Sequence, residues 1–226
     1  MIICLTGFMG CGKSSVGREL SKLLCCPFMD LDEVIVERTG RSIPEIFAEE
    51  GEKVFRQMEQ EALTEIVSEG WSKTKSLPRL RRGPLPFTRP RAATVFDTPS
   101  SDNTLYQNST LILAPGGGAV MTPECAKIVK EQTTCIYLKA SIETLLEHLE
   151  GQISNRPLLN FQNCHSDRDY NCHSDRAERV EESTTRNRIT ELMSLRSSTY
   201  EKTAHIIIDT DGKSIEAIAS EIISLL

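Results

Sequence analysis

Ile2-Ile3-Cys4-Leu5-Thr6-Gly7-Phe8-Met9-Gly10-Cys11-Gly12-Lys13-Ser14 is the stretch on which the fold of this chain turns. Ile2 to Thr6 is a short apolar run stopped by Gly7, the mark of a buried strand. Gly7 to Ser14 fits G-x-x-x-x-G-K-[ST], and beyond it Val16, Leu20, Leu23 and Leu24 recur at helical spacing. Strand, glycine loop and helix in that order make a phosphate-binding loop. The glycines let backbone N–H groups curl around phosphate oxygens, and the helix N-terminus adds partial positive charge. Gly10, Cys11, Gly12, Lys13, Ser14 and Ser15 are thus expected to hold the phosphates of a nucleotide. Lys13 can reach the β- and γ-phosphates, and the Ser14 hydroxyl can ligate Mg²⁺. Cys11 fills a free position of the pattern.

Outward from this loop, Pro27-Phe28-Met29 reads as a second strand ending in Asp30-Leu31-Asp32. Ser42 and Glu45 have capping-box spacing, and a longer helix follows from about Glu52 to Val67. Thr110–Ala114 is a strand stopped by Pro115-Gly116-Gly117-Gly118, and Thr134–Leu138 is another. Helices are expected over Ser141–Leu149, Ile189–Tyr200 and Ser214–Leu226, with a last strand at His205–Asp209. Strands alternating with helices specify an α/β fold with a parallel sheet covered on both faces. Asp30 and Asp32 fall at the C-terminal strand edge, where such sheets bind ligands. In an extended segment they point to opposite sides, one toward a metal and one toward an acceptor.

The chain has 226 residues, 39% of them hydrophobic, and is expected to be a single domain over 1–226. Lys and Arg number 26 against 32 Asp and Glu, a net charge of -6 that argues against nucleic acid as a partner. No run reaches the ~18 apolar residues of a membrane helix, and the opening lacks the basic region of a signal peptide. A cytoplasmic protein with no membrane partner is expected. There Cys4, Cys11, Cys25, Cys26, Cys125 and Cys135, of the 8 cysteines, are read as small reduced hydrophobes. Two stretches break the rhythm and are read as flexible insertions. Residues 71–108 hold a proline-rich basic segment, Ser72–Ala92. Residues 160–187 hold a tandem repeat, Asn163–Arg168 and Asn171–Arg176. The repeat carries Cys164-His165 and Cys172-His173, but adjacent Cys and His rarely chelate one ion, so zinc is not expected.

The ordered set of motifs resembles the shikimate kinase family. It comprises Gly7–Ser14, Asp30-Leu31-Asp32, Arg38–Ile43 on to Ile46-Phe47, Gly51-Glu52 with Phe55-Arg56 and Glu59, and Gly116-Gly117-Gly118, then Arg156-Pro157-Leu158-Leu159, Arg196 and Tyr200. The resemblance implies a three-layer α/β/α fold of P-loop kinase type. It implies transfer of a phosphoryl group from ATP, with Mg²⁺, to the 3-hydroxyl of shikimate on the route to chorismate and the aromatic amino acids. Asp32, Arg56, Gly116, Gly117, Gly118 and Arg196 would hold shikimate, and Glu59 would lock the Arg56 guanidinium. Lys13, Asp32 and Arg156 would be catalytic, Arg156 closing over the nucleotide from a mobile lid. Ser14 and Asp30 would serve the metal. A monomer is expected. In the family a basic residue before the lid stacks on adenine; here only His148 lies nearby, and no residue is assigned that role. Two alternatives stay open: a kinase for another polyol acid such as gluconate, and a catalytically silenced nucleotide-binding protein.

Overall fold

β1 (Ile2–Thr6) is apolar because both its faces are covered, and it sits at the middle of a parallel sheet of order β2-β3-β1-β4-β5. The computed structural model describes residues 1–69, 110–149 and 174–226. The other strands are β2 (Phe28–Asp30), β3 (Leu111–Ala114), β4 (Thr134–Lys139) and β5 (Ile206–Asp209). Every pairing is parallel, with Ile3 opposite Ile112 on one side and Cys4 opposite Cys135 on the other. β3 is buried along its whole length, as its sequence LILA requires.

The helices are α1 (Lys13–Leu24), α2 (Leu31–Thr39), α3 (Ile43–Glu49), α4 (Gly51–Glu69), α5 (Pro123–Gln132), α6 (Ile142–Leu149), α7 (Ser174–Thr203) and α8 (Ile215–Leu225). From β1 the chain steps outward past β3 to β2, whereas from β3 it steps across β1 to β4. Right-handed crossovers in opposite directions fall on opposite faces. α1 therefore covers one face, where it packs with α8, while α4, α5 and α7 pack together on the other. The reversal of direction between β1 and β3 opens a crevice at their C-terminal ends, the place where α/β sheets bind ligands. On the first face the approach is close: a Cβ on Gly17 of α1 would overlap the Phe28 ring of β2.

Several expectations are met in detail. The Ser42 capping box is complete, with Ser42 N donating to Glu45 Oε2 at 2.7 Å and Glu45 N to Ser42 Oγ at 3.4 Å. Others need correction. Asp30 and Asp32 do not share an extended segment. Asp30 ends β2 and at once caps α2, accepting from Asp32 N at 3.1 Å, so Asp32 lies in the first helical turn. Lys13 opens α1 and is half-buried. Cys25, read as a small hydrophobe, is exposed in the left-handed cap of α1. α7 starts at Ser174, not near Ile189, so part of the expected 160–187 insertion is helical. Thr185 within it is buried, and Arg186 pairs with Glu143 of α6 at 2.9 Å. The rest of that stretch, its two Cys-His pairs and all of 71–108 lie outside the described residues. No helix among the described residues is long and apolar enough to cross a membrane.

Candidate functional site

The phosphate loop leaves β1 at Gly7 and enters α1 through Gly10 and Gly12, whose φ values of 84 and 88 demand glycine. Gly12 supplies no side chain to cap α1, and the first turn carries no acidic residue. Its N–H groups and positive end therefore suit an anion. Lys13 Nζ donates to the carbonyls of Gly7 and Phe8 at 3.0 and 2.9 Å, so its cation lies along the loop. Ser14 Oγ donates to Asp30 Oδ2 at 2.6 Å. A hydroxyl and a carboxylate side by side are hard oxygen donors of the kind Mg²⁺ takes, so these residues fit that ion. Loop and carboxylates open on a cavity of ≈ 860 Å³ that is also lined by Gly116, Gly117 and His148. His148 Nδ1 lies 2.9 Å from the Gly10 carbonyl. That contact was not foreseen, because the sequence places α6 near the loop only through the pairing of β4 with β1.

Across the cavity a second group converges on the glycine run after β3. Arg56 and Glu59, one turn apart on α4, pair at 2.5 Å, as the spacing suggested. Glu59 is 1% exposed. Burial pushes its carboxyl up to about 7 despite the pull of Arg56, with Asp32 and Glu52 adding to the rise. Glu52 takes the other edge of Arg56, accepting from Nη2 at 2.8 Å and Nε at 3.3 Å. A Cβ on Gly116 would fall 2.5 Å from Glu59 Oε1 and 2.6 Å from Asp32 Oδ1. One on Gly118 would overlap the Arg56 guanidinium. Glycine is thus the residue that lets the backbone meet three charged side chains at once. Arg196 arrives from α7, buried, its Nη1 without a partner among the described residues and its guanidinium 5.9 Å from the Phe8 ring centre. Gly117 abuts the phosphate loop, its Cβ position 3.1 Å from Met9 N. An anion cradle and a charged, hydroxyl-competent pocket therefore share one wall. Of the expected residues, Arg156 lies outside the described ones.

A family model described as Shikimate kinase matches residues 9–73 and 102–226. The chain belongs to the shikimate kinase family. A shikimate kinase of Thermus thermophilus is 33% identical over 224 residues, covering 99% of this chain and 89% of that protein. One of Dictyoglomus turgidum is 30% identical over 226 residues, covering 99% and 96%. Among solved structures, the shikimate kinase from Acinetobacter baumannii in complex with shikimate superposes with a TM-score of 0.68 at 25% identity. It is covered to 91% by 99% of this chain. The Aquifex aeolicus shikimate kinase gives a TM-score of 0.59 at 25% identity, with 99% and 95% covered. The shikimate kinase match skips residues 74–101, within the first expected insertion, and runs through the second.

Proposed function

We propose that this family member transfers the γ-phosphoryl group of ATP to the 3-hydroxyl of shikimate, giving ADP and shikimate 3-phosphate. The observation that carries the reading is the shared wall: Gly117 packs on the phosphate loop while Gly116 and Gly118 face Asp32, Glu59 and Arg56. Phosphoryl transfer needs donor and acceptor in line and charge neutralised, and little else from the protein.

Each residue takes a role that its chemistry fits. Lys13 turns from the loop carbonyls to the β- and γ-phosphates, which attract an ammonium more strongly than a neutral carbonyl does. Ser14 and Asp30 would hold Mg²⁺, which when bound would supply positive charge to neutralise the phosphates. Arg56 and Arg196 grip the acceptor carboxylate, since guanidinium forks match carboxylate geometry. Asp32 accepts the hydrogen bond of the attacking hydroxyl and takes its proton. Arg156 closes over the phosphates and stabilises charge in the transition state. Under this proposal the enzyme works as a monomer in the cytoplasm. Incubation with ATP, Mg²⁺ and shikimate, followed by ³¹P NMR, tests the reading. A phosphomonoester at the 3-position supports it; ATP hydrolysis without a phosphorylated acceptor refutes it.

A further inference from the structure

A run of three glycines has no side chains to pack and the greatest backbone freedom of any tripeptide, so its place depends on its backbone bonds. Two of its carbonyls are held locally: Gly116 O accepts from Ala119 N and Gly118 O from Met121 N, both at 3.0 Å. The middle one is held from afar. The Gly117 carbonyl accepts the hydroxyl of Tyr200, which reaches it from α7. Tyr200 is itself immobilised: it is fully buried, and its ring stacks on Tyr137 of β4 with centres 5.2 Å apart and planes 21° apart. Burial holds its hydroxyl well above the ordinary tyrosine range, so it remains a donor. Arg196 lies one turn earlier on the same helix, so a single element delivers both the buried arginine and the bond to the loop.

We infer that the Tyr200 hydroxyl is a positioning group for the acceptor: its bond to the Gly117 carbonyl holds the glycine loop against the phosphate loop and so sets Gly116 and Gly118 opposite Asp32, Glu59 and Arg56. The inference rests on the proposed kinase reading. It separates the hydroxyl, which orders the loop, from the ring, which builds the core.

Tyr200→Phe keeps the ring and removes the bond; Tyr137→Phe removes the neighbouring hydroxyl of the same stack. Both are compared with the wild type for turnover, for the two KM values and for Tm. Tyr200→Phe is expected to raise the KM for shikimate roughly three- to tenfold, the worth of one hydrogen bond. The KM for ATP should hold, and Tyr137→Phe should match the wild type. An unchanged shikimate KM in Tyr200→Phe overturns the inference, as do equal rises for both substrates, which would mark a structural role. If the wild type fails to phosphorylate shikimate, the kinase reading falls first and the inference with it.

Discussion

Arg56 answers to two glutamates at once, Glu59 at Nη1 and Glu52 at Nε and Nη2, and its partners differ in what they can tolerate. Glu52 is half exposed, whereas Glu59 is buried and must stay paired or protonated. Arg56→Ala therefore does two things. It leaves the buried Glu59 carboxyl without its partner, at about 1–3 kcal/mol in a denaturant titration run above pH ~7, and it removes the proposed anchor for the acceptor carboxylate, raising the shikimate KM about 10- to 150-fold. Adding Glu59→Gln should restore the stability and leave the KM high; a double variant as unstable as Arg56→Ala would deny that the buried charge is the cause. Glu59 also carries a pH signature. With its carboxyl raised to about 7 in the fold, the native chain holds this proton more tightly than the unfolded chain does. Its contribution to stability is full at acid pH, below the ordinary carboxylate range, and is lost as pH rises to about 7. Tm should fall more steeply toward neutrality in the wild type than in Glu59→Gln, and parallel curves would contradict the raised pKa.

Helices and strands here meet through glycines, and the same substitution reads differently at each contact. Gly17→Ala presses a methyl into the Phe28 ring between α1 and β2, at a cost of about 1–3 kcal/mol in the unfolding midpoint. Its remaining active fraction should keep its KM values. Gly118→Ala instead presses on the Arg56 guanidinium. It should raise the shikimate KM at least about tenfold while moving stability by no more than about 0.5 kcal/mol. A stability loss at Gly118 matching that at Gly17 would argue against this division. Much of this layout was legible in the chain. β1, the phosphate loop and α1 follow from one periodic stretch, and the Ser42 cap from its spacing. α2 escaped notice because no turn precedes it: Asp30 closes the strand and caps the helix, although Leu31, Val34 and Ile35 are buried at helical spacing. α5 has a Thr-Pro-Glu start, but its N-cap makes no side-chain bond and its signal is short. The N-terminal half of α7 is almost wholly polar, so no apolar stripe marks where it begins. Contacts such as Gly118 on Arg56, or Tyr200 on Gly117, join distant segments and have no local signal at all.

For the molecule as a whole, the family match resumes after a gap at residues 74–101, between α4 and β3. Replacing that segment with a short Gly/Ser linker should leave Tm and kcat nearly unchanged, because loop-closure entropy grows slowly with length. Loss of the fold on this deletion would make the segment part of the structure. The remaining chain holds the donor and acceptor elements on two sides of one switch point in the sheet. This crevice is proposed to select shikimate through two arginines and a glycine run. The most direct test is a coupled ADP-release assay with shikimate, gluconate and nucleoside monophosphates as competing acceptors at fixed ATP and Mg²⁺. The account predicts a kcat/KM for shikimate at least about 100-fold above the others, the separation expected of a bidentate anchor. Equal or higher kcat/KM for gluconate, or ATP consumption indifferent to every acceptor, would contradict it.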